Sequence, residues 1–199
     1  MPRLFVSVDL PDRLADAVGE IQEPLRDVES LRFTDPAQAH CTLKFLGDVD
    51  DSRVDDVVEA LETAVDSVGR SPTSSRTQSG NDDGVGPFEA EVGGLGAFPS
   101  REYISVVWAG FRDGSAELTT LAEAIDRETV ELGFDPADHA FTPHVTLARM
   151  DDARGKARVQ EYLDSDPTVG RFEVRDVRLT ESTLTREGPR YETRARVSL

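Results

Sequence analysis

Two tripeptides of one kind, His40-Cys41-Thr42 and His144-Val145-Thr146, stand 104 positions apart in a chain of 199 residues. On an extended strand successive side chains point to opposite faces, so His40 and Thr42 project together while Cys41 and Leu43 turn away. The same holds for His144 and Thr146. If the two strands face each other, two imidazoles and two hydroxyls meet in one cleft, a constellation suited to a phosphate diester. A neutral imidazole takes a proton from water, the opposite imidazolium gives one to the departing oxygen, and each transfer contributes about 10²–10⁴-fold. Histidine, with an ordinary pKa near 6.5, supports both protonation states around neutrality. The threonine hydroxyls can hold the non-bridging oxygens, where negative charge collects. Spacing leaves open which histidine plays which part.

Three further residues lie near these pairs. His139 sits in the loop before the second tripeptide and has no counterpart in the first half. Lys44 falls on the His40 face by alternation, where it can assist a phosphate or simply be solvated. Arg149 falls on the face opposite His144 unless the strand twists or ends before it.

The elements that must position these groups come twice. Residues 3–9 read as a strand, and Leu14, Val18, Ile21 and Leu25 mark a helical face after Pro11. A turn-rich stretch, 33–39, leads into a strand over 40–47 closed by Gly47. Ser52 and Asp55 form a capping pair for a helix whose face is Val54, Val57, Val58, Leu61 and Val65. The order then returns: a strand at 104–109, and a helix striped by Leu118, Leu121, Ala122, Ile125 and Leu132. Phe134-Asp135-Pro136-Ala137 echoes Phe33-Thr34-Asp35-Pro36-Ala37 ahead of the second His-x-Thr strand. A helix at 153–163 and β-rich segments at 171–180 and 191–198 complete the chain. Such repetition predicts an α+β fold of two pseudo-symmetric lobes, each with a mainly antiparallel sheet and helices, with the cleft between them. All 199 residues form one bilobal domain in this reading. Residues 71–86, in which Ser71 to Gly84 include no apolar side chain, form a disordered insertion.

Composition narrows the classes of function. Twenty-two basic against 39 acidic residues give a net charge of −17, which excludes a basic nucleic-acid-coating protein. A hydrophobic content of 38% suffices for one domain or two small lobes. No run of about 18 apolar residues is present to span a membrane. The first apolar stretch breaks at Asp9, too early for a secretory core, so a cytoplasmic protein is expected. Cys41, the single cysteine, has no disulfide partner and no second thiol for zinc. The basic residues are two lysines and twenty arginines. With the acidic excess, this suggests a surface suited to a saline cytosol, because near 1 M salt a Debye length of about 3 Å screens the self-repulsion. Long-range capture of a polyanion is disfavoured, so a nucleotide must be held by a few short-range contacts.

The two motifs, His40-Cys41-Thr42-Leu43-Lys44-Phe45-Leu46-Gly47 and Phe141-Thr142-Pro143-His144-Val145-Thr146-Leu147-Ala148-Arg149, resemble the paired motifs of the 2H phosphoesterases. The closer likeness is to the RNA 2′,3′-cyclic phosphodiesterases historically called 2′-5′ RNA ligases. It extends through Arg3 to Val8, Gly96-Ala97-Phe98-Pro99, Val107-Trp108-Ala109-Gly110, Glu181-Ser182-Thr183-Leu184 and Gly188-Pro189-Arg190-Tyr191. Residues 71–86 depart from the pattern. The resemblance implies a bilobal fold with a central cleft, and hydrolysis of RNA 2′,3′-cyclic phosphate ends to 2′-phosphates without metal or other cofactor. By that likeness His40 is the proton donor, His144 the proton acceptor, and Thr42 and Thr146 bind substrate. It also implies the reverse reaction, which joins a cyclic phosphate to a 5′-hydroxyl.

Other chemistries lack their residues. There is no phosphate-loop motif, Gly93-Gly94-Leu95-Gly96 lacks the third glycine of a dinucleotide fingerprint, and no His-Glu-x-x-His or Gly-x-Ser-x-Gly occurs. A catalytic metal is therefore not expected. Phe45, Phe98 and Trp108 are available to stack on a base, although strand aromatics more often fill cores. The alternatives that stay open are a 2′-5′ ligase or nuclease, a phosphodiesterase for a small cyclic nucleotide, and a nucleotide-binding module without turnover. The partner expected is RNA with a cyclic phosphate end, and the protein is expected to act as a monomer, with neither a membrane nor an obligate protein partner.

Overall fold

Alternating apolar residues build the strands, and i, i+3, i+4 stripes build the helices. In chain order they are β1 (Arg3–Asp9), α1 (Ala15–Gln22), β2 (Leu31–Phe33), β3 (His40–Asp48), α2 (Val54–Val68), β4 (Phe88–Pro99) and β5 (Ile104–Asp113). There follow α3 (Ser115–Glu131), β6 (His144–Met150), α4 (Lys156–Tyr162), β7 (Thr168–Val174), β8 (Asp176–Thr185) and β9 (Gly188–Ser198). The computed structural model describes residues 1–68, 86–186 and 188–199, so the insertion expected at 71–86 lies, Gly86 apart, outside the described residues.

The fold is α+β and bilobal, as the repeat predicts. One lobe carries β1, β3, β8 and β9, the other β2 and β4 to β7, and the two sheets join edge to edge. The resulting nine-stranded sheet runs β7-β4-β5-β6-β3-β1-β8-β9, with β2 also paired to β6. The seam between lobes is one antiparallel pairing, Cys41 opposite Val145. Every strand pairing in the sheet is antiparallel. One face of this sheet carries the main core: Leu4, Val6 and Val8 of β1, Val18 of α1, Leu61 of α2, Leu121 and Ile125 of α3, and Val145 and Leu147 of β6 belong to a single cluster. The alternate residues of β1, which are Arg3, Phe5, Ser7 and Asp9, face the other way. Among the described residues no helix is long and apolar enough to cross a membrane.

Two local expectations, the cap before α2 and the face of Lys44, are corrected here. The segment 88–99, interrupted by Gly93, Gly94 and Gly96, forms β4, which pairs with β5 on one side and β7 on the other. The cap before α2 is Asp50 rather than Ser52: the Asp50 carboxylate accepts from the Ser52 backbone N–H at 3.0 Å and opens a 3₁₀ turn, Asp51–Arg53, ahead of the helix. A two-carbon carboxylate reaches the first free amides of a helix best from this position.

Lys44 also departs from simple alternation. Val6 pairs with Lys44 and Ser7 with Thr42, so Leu43 is an extra residue in the ladder. A one-residue bulge of this kind reverses the faces of everything beyond it. Lys44 therefore turns away from His40, is only 7% exposed, and meets the helix layer. There its ammonium is paired with the Asp126 carboxylate of α3 and donates to the Asp135 carbonyl at 2.5 Å. Asp126 also accepts from the Ala137 backbone N–H at 2.9 Å. The pair ties the first His-x-Thr strand to the loop that leads into the second. Lys44→Met should leave the Asp126 carboxylate without its counter-charge and cost about 3 kcal/mol of stability. Urea unfolding at fixed salt measures this, and an unchanged midpoint would refute it.

Candidate active site

The strands β3 and β6 carry the same burial rhythm: half-buried histidine, buried residue, half-buried threonine, two successive buried residues, then an exposed one. With Cys41 opposite Val145, the antiparallel register sets His40 across from Thr146 and Thr42 across from His144. Each histidine thus faces the other motif's threonine, and the four side chains share one face of the seam. Cys41, between them, points into the core, where burial pushes its thiol up to about 12. It is a packing residue.

Both imidazoles are fixed in the same way. His40 Nδ1 lies 2.8 Å from the Gln38 carbonyl oxygen, and His144 Nδ1 lies 2.7 Å from that of Thr142. A carbonyl only accepts, so each Nδ1 carries a hydrogen and each Nε2 is left for chemistry, as acceptor when neutral and donor when protonated. The carbonyl belongs in each case to the residue two positions upstream. The two rings are thus oriented by the same local geometry, each with Nε2 turned to the open face.

Burial lowers the pKa of both rings, and their surroundings differ. For His40 the Gln38 carbonyl and the Asp9 carboxylate oppose that fall. For His144 the Thr142 carbonyl opposes it, while the positive charges of His40 and Arg149 add to it. Aromatic rings wall both histidines. Phe5 stacks on His40 with centroids 5.1 Å apart, and Tyr191 meets it edge-on at 5.0 Å. Phe98 meets His144 edge-on at 4.8 Å, with Trp108 at 6.0 Å. Phe98 and Trp108 thus lie on the site face rather than in the core.

The register slip at Leu43 is repeated at Leu147, because Val107 pairs with Ala148 and Trp108 with Thr146. The two slips bring Phe45 and Arg149, equivalent positions of the repeat, onto the histidine face. Phe45 is 72% exposed beside Phe5. The Arg149 side chain makes no ion pair or hydrogen bond among the described residues and acts electrostatically on His144 and Tyr191. Sequence alternation placed Arg149 on the wrong face. The successive apolar pair Leu147-Ala148 is a sequence sign of the bulge in β6, and in β3 the lysine of Leu43-Lys44 obscures the equivalent sign. His139 stands on an exposed loop, its Nδ1 2.7 Å from the Asp138 carboxylate, and joins neither histidine. Among the described residues no group of three or more His, Cys, Asp or Glu side chains is placed to hold a metal ion.

Comparison with known proteins gives a consistent picture. The sequence model of the 2′-5′ RNA ligase superfamily matches residues 10–186. An RNA 2′,3′-cyclic phosphodiesterase of Methanothermobacter thermautotrophicus is 32% identical over 192 residues, 95% of this chain and 94% of that protein. One from Aeropyrum pernix is 34% identical over 183 residues, covering 91% and 90%. Among solved structures, the TT0787 protein of Thermus thermophilus superposes with a TM-score of 0.76 at 25% identity, covering 99% of this chain and 97% of that one. E. coli LigT complexed with 3′-AMP superposes at 0.75 and 22% identity, covering 100% and 98%, and supports the fold.

The wall beside His144 depends on a glycine. Trp108 lies so close to Gly96 of β4 that an added Cβ would stand 2.1 Å from its Cζ2. The indole Nε1 is buried and has no hydrogen-bond partner among the described residues, a penalty of about 1–3 kcal/mol that the packing must offset. Gly96→Ala should displace the ring and lower stability by about 1–3 kcal/mol. Trp108 is the only tryptophan, so intrinsic fluorescence reports on it alone. A red-shifted emission with a lowered unfolding midpoint is expected, and unchanged values of both would refute the close packing.

Proposed function

This chain belongs to the 2′-5′ RNA ligase superfamily, and from that premise we propose that it opens the 2′,3′-cyclic phosphate at an RNA 3′ end to leave a 2′-phosphate. The observation that carries the proposal is the pair of imidazoles, each held through Nδ1 and each with Nε2 free, facing one another's threonine across the seam. The curated relatives named as RNA 2′,3′-cyclic phosphodiesterases support the substrate class.

The reaction needs one proton removed and one supplied. His144, neutral at Nε2, takes a proton from water as the oxygen attacks phosphorus. His40, protonated at Nε2, gives its proton to the 3′ oxygen as the P–O3′ bond breaks. The 2′ ester remains, and the proton gained by His144 and the one lost by His40 balance on return to the resting state. The Thr42 and Thr146 hydroxyls face the same space and donate to the non-bridging oxygens, where the transition state concentrates charge. The Arg149 guanidinium discourages a proton on His144, which suits the base, and can meet a phosphate or base at short range. Phe45 presents an exposed ring on which a base can stack. Both proton transfers are accounted for by imidazoles, so no metal is required. The acid and base assignments follow the family likeness, and the protein is read as a monomer of the cytoplasm.

The direct test is an oligonucleotide ending in a 2′,3′-cyclic phosphate, incubated in high salt with EDTA, with the phosphate position of the product mapped. A 2′-phosphate is expected. Saturable binding without turnover would replace the enzyme by a nucleotide-binding module. His40→Ala and His144→Ala should each lower kcat at least about 100-fold with the fold intact, and the double variant should be little worse than either single one. Activity that survives in either single variant would overturn the two-histidine mechanism. EDTA should leave the rate unchanged, and loss that divalent ions restore would overturn metal independence.

A further inference from the structure

The two halves of the site repeat one another in strand order, in His-x-Thr, in the Nδ1 anchor and in the register slip. They differ at the position paired with each histidine on the neighbouring strand. His40 is paired with Asp9 of β1, whereas His144 is paired with Gly110 of β5. A charge therefore stands beside one imidazole where the other has no side chain at all.

Asp9 is held rigidly. Its Oδ1 accepts from the Ser7 hydroxyl at 2.9 Å, and its Oδ2 accepts from Arg178 of β8 at 2.6 Å. Arg178 is shared with a second carboxylate, since its Nε donates to Asp176 at 2.9 Å. Two carboxylates around one guanidinium leave the trio with one net negative charge. All three side chains are about three-quarters buried, so this charge is screened less than an exposed one would be. Asp9 and His40 line one recess together with Phe5, Gln38, Thr180 and Tyr191. The other titratable groups near His40 are the Tyr191 phenol of β9, whose ring meets the imidazole edge-on, and His144 of β6, which interacts with it electrostatically.

We propose that Asp9 is the positioning residue that makes His40, rather than His144, the proton donor of the reaction. The proposal deepens the two-histidine reading above and rests on it. A fixed negative charge beside His40 favours its imidazolium. The glycine opposite His144, and the Arg149 cation on its own strand, favour the neutral ring there. A symmetric scaffold is thereby biased toward one direction of proton flow.

The test compares two charge changes of opposite sign at the same spot. Asp9→Asn removes the negative charge and should move the alkaline limb of the kcat/KM profile, set by the acid, to lower pH. Rates above that limb should fall roughly tenfold, with the acidic limb unmoved. Arg178→Gln removes the cation from the two carboxylates and should move the same limb to higher pH. A folding defect cannot produce shifts of opposite sign. Asp9→Glu should restore the wild-type limb. NMR titration of the His40 ring in each protein reads the same displacement without depending on turnover. If the His40 titration stays put in both Asp9→Asn and Arg178→Gln, Asp9 is structural only and the proposal is overturned. If the titration shifts as expected but the alkaline limb does not follow, Asp9 acts on His40 but His40 is not the acid, and the proposal fails with the acid assignment beneath it.

Discussion

A β-strand sends alternate side chains to opposite faces, and at the seam of this sheet that rule is broken in each lobe just after the His-x-Thr tripeptide. Up to the break, His-x-Thr places an imidazole and a hydroxyl on the open face and an apolar residue in the core. At Leu43 and Leu147 the ladder takes one extra residue, and the two residues that follow change sides. The slip in β3 sends Lys44 inward to Asp126 and brings Phe45 outward. The slip in β6 keeps Ala148 in the core and turns Arg149 outward. Without the bulges, the open face would carry a lysine and an alanine in place of the ring and the guanidinium. The make-up of the histidine face therefore depends on the same small irregularity in both lobes.

The rest of the site is arranged to limit freedom. An imidazole on a strand can rotate about two bonds, and a hydrogen bond from Nδ1 to a carbonyl two residues upstream removes most of that choice. The aromatic rings at each histidine remove more, at about 5 Å between centroids for His40 with Phe5 and Tyr191. Burial lowers both ring pKa values, so the backbone carbonyls do double duty: they orient the ring and keep its protonated form accessible. The buried Lys44–Asp126 pair extends this restraint from one lobe to the approach of the other, through the Ala137 amide.

Much of this was readable from residue order. The repeat of strand, helix, turn and His-x-Thr gives the α+β class and the two lobes, because hydrophobic periodicity is local and survives in the chain. The helix stripes at Val18, Leu61 and Leu121 point to the core as expected. What was not readable depends on partners distant in sequence. The bulges exist only relative to β1 and β5, so Lys44 and Arg149 were set on the wrong faces by counting alone. β4 is broken by three glycines within four residues, and only pairing on both edges makes it a strand. Asp9 reads as the polar end of an apolar run, and its place beside His40 comes from ladder register over a separation of about thirty residues.

Acid/base catalysis by two like groups contains a difficulty of its own. If the groups and their surroundings were identical, the singly protonated state would divide equally between them, and half of the molecules would hold the proton on the wrong ring. An internal repeat produces just such equality unless the copies have diverged around the reacting groups. Here the copies differ around the two imidazoles: Asp9 against Gly110 across the ladder, and Phe45 against Arg149 after the bulge. Each difference pushes the shared proton the same way, toward His40 and away from His144. The scaffold keeps its symmetry where geometry is needed, in the strands, the anchors and the slips, and gives it up where direction is needed, in the charges.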